Sequence, residues 1–339
     1  MSHNSDHRRG VLRAYEWQHP RVLTAHKEVI VPAIRRSFPV VLGAAALAAL
    51  LAGCGAGGDG SGGAPPAGAP GGAAPTEAVP TVARDDALAA MVPQQVASDG
   101  VLQFGVDASY APNEFTAPDG TTIIGMDVDL GTAIAQKFGL KPQFENTQFS
   151  GIIAGVEAGR YEIAMSSFSI TPERTPVVDM VSYFVAGTSI AVAQGNPQNV
   201  NPDDLCGLNV GVQAGTVQVE DLAARNEKCA AEGKPAIQVT ELQAQSDVNL
   251  ALAANRIVAM LADSPVVAYA ADTTDGAIEE LGDAYDTAPY GAALPKGQGQ
   301  YAEAVRGAIQ ALIDDGTYAA ILEKWNVSDG AIPTSEIRS

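Results

Sequence analysis

The residue types most able to bind a small charged molecule lie in one short segment, residues 165–174. Three serine hydroxyls come first, and Thr171 and Pro172 then have the residue types of a helix N-cap and a first helical position. Arg174 adds a planar guanidinium that can hold a carboxylate through two hydrogen bonds. We therefore predict a carboxylate-binding site at a helix N-terminus; the alternative is a surface turn with a solvated arginine.

The composition disfavours several classes of function. The net charge is −19, whereas a protein that binds nucleic acid needs a basic surface. The sequence contains no GxxxxGK[ST] loop for a nucleotide. All histidines precede residue 27, so a mature protein without that segment lacks His-based catalytic and metal sites. We expect no metal site, no cofactor and no nucleic-acid partner. The four histidines are His3, His7, His19 and His26.

The N-terminal region has the features of an export signal. Arg35 and Arg36 precede the apolar run 38–51, which is shorter than the roughly 20 residues of a transmembrane helix. The run ends in Leu-Ala-Gly-Cys, which resembles a bacterial lipobox and implies that Cys54 is lipidated. We predict that residues 1–53 are an N-terminal extension and signal peptide, and that the protein is extracytoplasmic and anchored to the cell membrane.

The residues after Cys54 are dominated by glycine, alanine and proline up to about residue 80. Such a composition buries too little apolar surface to fold, so we predict a disordered tether over residues 54–96. Two cysteines remain, Cys206 and Cys229. Because the exported environment is oxidising, a disulfide between them is favoured over two free buried thiols.

Short apolar strands alternate with amphipathic helices from about residue 100, which predicts an α/β fold with a parallel sheet. In such sheets ligands bind beyond the carboxyl ends of the strands, where segments 107–110 and 166–174 would both lie. Strands are predicted over residues 102–106, 142–145, 161–165, 189–193, 208–212, 237–240 and 257–261. Helices are predicted before Gly139 with Leu130, Ile134 and Phe138 on one face, and after the N-caps Ser150 and Ser264. Further helices are predicted to start at residues 201–204 and 215–216 and to run over about 247–254 and within 301–325.

A series of motifs over about residues 97–328 resembles the bacterial extracellular solute-binding proteins of family 3, the polar amino-acid receptors of ABC importers. The resemblance implies a two-lobed, type II periplasmic-binding-protein-like fold with two crossover strands. On this basis we place the first lobe at 97–190 and 287–339, with the C-terminal helices, and the second at 191–286. The motifs are DASYAP (107–112), GMDVDL (125–130), GRYE (159–162), SITPER (169–174), VGVQAGT (210–216), DGTY (315–318) and KW (324–325).

The resemblance also implies how a ligand would be held. Arg174 would take the carboxylate, assisted by backbone N–H groups near Ser169 and Thr216. Asp263 would take the ammonium group, with Ser167 or Ser169 as a further acceptor. A zwitterion removed from water needs both charges paired, because an unpaired buried charge costs several kcal/mol, on the order of the values known for buried ions.

The remaining predicted contacts concern the ligand's side chain. The resemblance implies that Tyr110 and Phe149 sandwich its aliphatic part and that Asp107 lies near its end; from the residues alone, the two aromatics could be core side chains. The charge of Asp107 favours a basic or neutral polar amino acid over an acidic one. Asp127 and Asp129 could pass for a catalytic pair, but a helix cap and a solvated face are the favoured interpretation.

The predicted function is that of a monomeric substrate-binding lipoprotein, not an enzyme, which delivers a polar amino acid to an ABC permease in the membrane. Two alternatives remain. One is an exported enzyme on the same fold, similar to cyclohexadienyl dehydratase. The other is the ligand-sensing lobe of a signalling system.

Overall fold

The computed structural model describes residues 80–339. The predicted signal, the lipidation of Cys54 and the tether up to residue 79 lie outside these residues. The strands are β1 (Val101–Val106), β2 (Ser109–Tyr110), β3 (Glu114–Thr116), β4 (Ile123–Ile124), β5 (Lys141–Asn146), β6 (Ile163–Ala164), β7 (Val178–Ala193), β8 (Asn209–Gln213), β9 (Gln238–Leu242), β10 (Ala259–Asp263), β11 (Ile278–Pro295) and β12 (Ile337–Arg338). The helices are α1 (Asp86–Ala89), α2 (Gln94–Ala97), α3 (Met126–Phe138), α4 (Phe149–Glu157), α5 (Val217–Ala231), α6 (Gln245–Ala253), α7 (Ser264–Thr273), α8 (Tyr301–Asp314) and α9 (Thr317–Lys324).

One mixed sheet runs through the molecule in the strand order β5-β1-β6-β11-β7-β10-β8-β9, with β12 also paired to β7. At one end β1 lies parallel to β5 and β6, and at the other β8 lies parallel to β9 and β10. The long strands β7 and β11 are antiparallel and belong to both ends. The predicted α/β architecture with two lobes and two crossover strands is therefore confirmed.

The crossover strands change their pairing where they pass between the lobes. The register of β7 against β11 is interrupted between Leu281 and Ala288, opposite Gly187. A side chain at Gly187 would come within 2.7 Å of the Tyr285 carbonyl oxygen, so glycine allows the two backbones to approach here. The predicted lobe boundaries at 190/191 and 286/287 fall within these two strands and stay a prediction.

Each lobe covers its part of the sheet with helices on both faces. In the first lobe, α3, α8 and α9 share one core, and α4 packs in another with Phe149 and Phe168. In the second lobe, α6 and α7 cover one face, and α5 covers the other through Leu222 and Cys229. The disulfide predicted between Cys206 and Cys229 is present, with a Cα–Cα distance of 5.7 Å.

The folded part begins earlier than predicted. Residues 82–96 fall within the predicted tether 54–96, but Val82, Val92 and Val96 are buried in the core of the first lobe. The Val82 N–H also donates to the Gln136 side chain at 2.8 Å. These few scattered apolar residues are enough to pack the segment against the first lobe. They were not recognised from the sequence because the segment follows a glycine- and proline-rich region.

Several predicted helix starts are shifted or absent. Helix α4 begins at Phe149, so Ser150 is inside the helix rather than its cap, and α7 begins at Ser264 with Asp263 as the N-cap. Segment 201–204 forms a turn with a short bridge instead of a helix. Within residues 80–339, no helix is long and apolar enough to cross a membrane.

Candidate functional site

A small cavity lies between the lobes, with a volume of about 10 Å³. Seven of the eight residues predicted to bind the ligand line this cavity, and Asp107 does not. The structure also places Val217 and Gln218 in the wall, which the sequence did not indicate. The seven predicted residues are Tyr110, Phe149, Ser167, Ser169, Arg174, Thr216 and Asp263.

The Arg174 side chain is held at the cavity wall by neutral partners. Its Nη1 donates to the Ser169 carbonyl at 2.9 Å, and its Nη2 donates to the Gly215 carbonyl of the second lobe at 3.3 Å. The guanidinium also lies over the rings of Phe149 and Phe168, at 5.6 and 5.3 Å from their centroids. Burial lowers the pKa of Arg174 from its usual value, which the charge of nearby Asp263 opposes.

No carboxylate among residues 80–339 forms an ion pair with Arg174. Because its fixed charge is directed at a cavity and bound only by carbonyl groups, Arg174 can accept an anion without breaking an existing ion pair. This arrangement is the electrostatic feature expected of a carboxylate-binding arginine.

The predicted helix after Thr171 is wrong. Residues 172–177 form turns, although the Arg174 N–H does donate to the Thr171 hydroxyl oxygen at 3.3 Å. Pro176 explains the difference, because it has no N–H to continue a helix and disfavours helical geometry at the preceding Thr175. Segment 171–177 therefore offers an anion the Arg174 guanidinium but no helix N-terminus of its own.

Asp263 lies at the end of β10 and faces the cavity from the second lobe. Gln218 Nε2 donates to its Oδ1 at 2.7 Å, and the Tyr290 hydroxyl donates to its Oδ2 at 2.6 Å. Its backbone N–H donates to the Tyr110 hydroxyl across the lobes at 3.1 Å. Burial raises the pKa of Asp263, while the hydrogen bonds from Tyr290 and Gln218 act to lower it.

Two neutral donors thus hold the Asp263 carboxylate in one orientation and leave it without a paired cation among the described residues. A cationic group in the cavity would supply the missing charge. Neither Gln218 nor Tyr290 could be recognised from the sequence, because Gln218 resembles any polar residue in a first helical turn and Tyr290 any aromatic in a strand.

The aromatic wall differs from a simple sandwich. Phe149 stacks on Phe168, with ring centroids 4.6 Å apart and planes 20° apart, and Tyr110 approaches the cavity from β2. Tyr110 and Phe149 are only 5% and 8% exposed, so both present apolar surface to an almost closed space. The cavity therefore offers a narrow apolar passage between its two charged groups.

Asp107 lies directly behind this wall, after the last residue of β1. Its carboxylate accepts hydrogen bonds from the Phe149 N–H at 2.8 Å, the Ser109 hydroxyl at 2.6 Å and Gln213 Nε2 at 2.9 Å. Burial raises the pKa of Asp107, and these donors act to lower it. Since Gln213 belongs to the second lobe, this hydrogen bond connects the two lobes. The predicted contact of Asp107 with a ligand remains a prediction.

Ser167 has an unusual backbone that aims it at the cavity. Its φ is 55°, in the left-handed region that non-glycine residues seldom adopt. The Ser167 N–H donates to Asp127 Oδ2 at 2.9 Å and to the Tyr183 hydroxyl at 3.1 Å, and these bonds fix the conformation. Asp127 is completely buried, so the prediction that it lies on a solvated helix face is wrong.

On the second lobe, Thr216 precedes helix α5 as its N-cap residue, and its hydroxyl donates to the Gln213 carbonyl at 2.8 Å. The N-terminus of this 15-residue helix therefore faces the cavity beside Arg174, where exposed N–H groups favour an anion. Within residues 80–339, no group of three or more His, Cys, Asp or Glu side chains could hold a metal ion.

Known proteins share this sequence and architecture. The arginine-binding protein ArgT of Corynebacterium glutamicum is 37% identical over 246 residues, which cover 72% of this chain and 80% of ArgT. A solved ancestral arginine-binding protein with bound arginine aligns with a TM-score of 0.62 and 31% identity, covering 67% of this chain and 98% of that one. An ancestral amino acid-binding protein described as a precursor of cyclohexadienyl dehydratase aligns with a TM-score of 0.60 and 31% identity, covering 68% and 98%. The model of one family, the bacterial extracellular solute-binding proteins, family 3, matches residues 102–328, and the chain belongs to that family.

Proposed function

We propose that this protein is the substrate-binding component of an ABC importer and that it closes its two lobes over a polar amino acid. One observation carries the proposal. Arg174 of the first lobe and Asp263 of the second lobe face the same small cavity, each bound by neutral partners. An α-amino acid carries one negative and one positive group that could pair with both.

Placing the two charged residues on different lobes couples binding to closure. A ligand favours the closed state only to the extent that it gains contacts there that the open state lacks. With its carboxylate on Arg174, the amino acid can reach Asp263 only when the lobes meet. Hydrogen bonds between the lobes then stabilise the closed state further: the Asp263 N–H donates to the Tyr110 hydroxyl, and Gln213 Nε2 donates to Asp107.

The ligand is proposed to be basic or neutral, with arginine the first to test. Two of the similar proteins, ArgT and the ancestral arginine-binding protein, have names that state arginine binding. The buried Asp107 adds negative charge behind the Phe149 wall, which disfavours an acidic side chain at that end. The apolar faces of Tyr110 and Phe149 suit an aliphatic stem between the two ends.

The setting of the protein is part of the same proposal. A lipid on Cys54 anchors the chain outside the cytoplasm, residues 55–79 belong to the tether, and the folded part works as a monomer with a membrane permease. Intact mass spectrometry of the purified membrane form, with a Cys54→Ser control, tests the lipid. A mass that fits the unmodified polypeptide would refute it.

The best test of the ligand assignment is calorimetry of the purified protein with arginine, lysine, glutamine and glutamate. We expect Arg174→Ala to weaken binding by about 2–5 kcal/mol, because truncation leaves the ligand carboxylate buried and unpaired. Arg306→Ala is a matched control, since Arg306 pairs with Glu303 on the surface of α8. Undiminished binding by the Arg174→Ala variant would refute the site, and a preference for glutamate would refute the ligand class.

An exported dehydratase is the second candidate, favoured only by the likeness to a structure described as a dehydratase precursor. That structure is itself described as an amino acid-binding protein, which favours binding over catalysis. Incubation with prephenate or arogenate followed by chromatography separates the two functions. Product formation would establish an enzyme.

A further inference from the structure

Two carboxyl groups lie buried beneath the cavity and do not line it. Glu114 of β3 and Asp127 of α3 are both 0% exposed. No Lys or Arg within the described residues forms an ion pair with either of them. The cationic residue of the neighbouring helix α9, Lys324, bonds instead to Asp129 at 2.8 Å. Two buried acids without a cation are costly as anions, and a shared proton removes one charge.

Both carboxyl groups accept hydrogen bonds from Ser166 and Ser167, which we call the serine turn. The Ser166 hydroxyl donates to Glu114 Oε1 at 2.8 Å, and the Ser167 hydroxyl donates to Glu114 Oε2 at 3.3 Å. Asp127 Oδ2 accepts the Ser167 N–H at 2.9 Å and the Tyr183 hydroxyl at 2.6 Å. The pair therefore holds Ser167 by both its backbone and its side chain.

Of the carboxyl oxygens of Glu114 and Asp127, one is left without a partner among the described residues. Asp127 Oδ1 has no hydrogen-bond partner among residues 80–339, although it is inaccessible to solvent. An orphaned carboxylate oxygen beside a second buried carboxyl group marks where a proton would form a hydrogen bond. A proton on Glu114, donated to Asp127 Oδ1, would satisfy this atom.

We propose that Glu114 and Asp127 share one proton and act as positioning residues that fix Ser167 as an acceptor for the ligand's ammonium group. The Ser167 hydroxyl accepts a hydrogen bond from Asn113 Nδ2 at 2.9 Å and donates its own hydrogen to Glu114. One lone pair then remains for the cavity. This role rests on the proposed amino-acid ligand, whereas the shared proton does not.

The groups around the pair add no positive charge. Asp107, directly after β1, and Tyr110 and Tyr183, in β2 and β7, face the pair. After burial, the charge of Asp127 and then that of Asp107 raise the pKa of Glu114 further. Burial raises the pKa of both tyrosines, so they stay neutral where the pair titrates. Burial raises the pKa of Asp127 to about 6 and that of Glu114 well above its usual value, so Glu114 is the member of the pair that keeps its proton at neutral pH.

The sign of the pH effect follows from linkage. In the unfolded chain an ordinary glutamate loses its proton above about pH 4.5, whereas the folded pair keeps one. The folded state then binds more protons than the unfolded state, so stability falls as pH rises. The loss continues until the pH passes the raised pKa of the pair.

Urea unfolding and calorimetry with arginine between pH 5 and pH 8 test both parts. We expect the folding equilibrium constant of the wild type to fall by about tenfold per pH unit relative to Glu114→Gln, for one retained proton. The side-chain amide of the Glu114→Gln variant can donate to Asp127 Oδ1 and so replaces the protonated acid. Glu162→Gln is the control. Like Glu114, Glu162 has a pKa that burial raises, but Glu162 is only partly buried and accepts a hydrogen bond from the Gln103 N–H, away from the cavity.

For positioning, Glu114→Gln should bind arginine within about threefold of the wild type at pH 5, and Glu114→Ala should lose at least about tenfold. Identical pH profiles of the wild type and Glu114→Gln would overturn the shared proton, even if Glu114→Ala does not fold. Unchanged affinity of a folded Glu114→Ala variant would overturn the positioning role. If the wild type binds no amino acid, the proposed function and the positioning role both fail, and the unfolding profiles still decide the shared proton.

Discussion

Two buried acidic regions lie close to the same cavity and differ in the protonation state that their surroundings favour. Asp263 has a donor on each oxygen and faces the cavity, where a cation can reach it. Glu114 and Asp127 are sealed beneath the serine turn, and one of their oxygens has no partner within the described residues. The arrangement around Asp263 favours an ionised carboxylate that a cationic ligand group can reach. The arrangement around Glu114 and Asp127 favours one retained proton on the pair.

The difference shows why burial alone does not identify a binding residue. All three acids are buried and have raised pKa values, with burial as the largest cause. Access to the cavity separates Asp263 from the other two acids. Each acid accepts hydrogen bonds from two neutral donors, but both donors to Asp127 meet the same oxygen, which leaves its other oxygen without a partner among the described residues. An acid that must stay charged needs donors that compensate for lost water, whereas an acid next to another acid can avoid the second charge.

The largest effect on this comparison should come from neutralising Asp263. We expect Asp263→Asn to weaken binding of the amino acid by about 3 kcal/mol, because the ligand's ammonium group loses a charged hydrogen-bond partner. Calorimetry measures the change, with Asp272→Asn on the exposed side of helix α7 as a control. Equal affinities of the wild type and Asp263→Asn would remove Asp263 from the site.

Truncating the sealed acid should instead reduce stability. We expect Asp127→Ala to lower the free energy of unfolding by about 2 kcal/mol, since the Ser167 N–H and the Tyr183 hydroxyl lose their acceptor. Glu157→Ala is the control, because Glu157 is exposed at the end of helix α4. Denaturant unfolding compares the two variants. An equal loss for both variants would contradict this assignment.

The two acidic regions should also respond to pH in opposite directions. Binding requires Asp263 as an anion, so affinity should decline by about tenfold per pH unit, or about 1.4 kcal/mol, once the pH falls below its raised pKa. Folding stability, in contrast, should improve toward acid as the Glu114–Asp127 pair keeps its proton. Titrations from pH 7 downward, with Asp263→Asn as the reference, measure the first effect, and a reference variant with the same decline would exclude Asp263 as its source.

A smaller effect is expected from the residue that orients Asp263. Gln218→Ala removes one neutral donor from the carboxylate and should weaken binding by about 1 kcal/mol while raising the pKa of Asp263 further. The acid limb of the affinity profile should therefore shift to higher pH. Gln198→Ala, on the loop after β7, is the control, and an unshifted acid limb in Gln218→Ala would show that Tyr290 alone sets the carboxylate.

Much of this arrangement was predictable from residue types and their order. The alternation of strands and helices predicted the architecture, and seven residues carried over from the family resemblance do meet at one cavity. Local rules failed where distant parts of the chain decide. Thr171 and Pro172 have the residue types of a helix start, but Pro176 prevents the helix. Asp127 resembles a helix cap in the sequence, whereas in the structure Tyr183 of β7 covers it and donates to its carboxylate.

Other features could not be predicted because they depend on contacts between the lobes. Gln213 reaches Asp107 over 106 positions of sequence, and Tyr290 reaches Asp263 from a crossover strand. Hydrogen bonds of this kind leave no periodicity and no spacing in a single sequence. The same reason explains why Asp107, expected in the cavity, has its carboxylate engaged behind the wall.

The central claim is that Arg174 binds the carboxylate of an amino acid, and a cycle between protein and ligand tests it most directly. Arginine and agmatine, which lacks only the carboxylate, are titrated into the wild type and into Arg174→Ala. We expect the substitution to cost arginine about 2–5 kcal/mol of binding free energy and to leave the affinity for agmatine nearly unchanged. Equal losses for both ligands would contradict the claim, because Arg174 would then act on something other than the carboxylate.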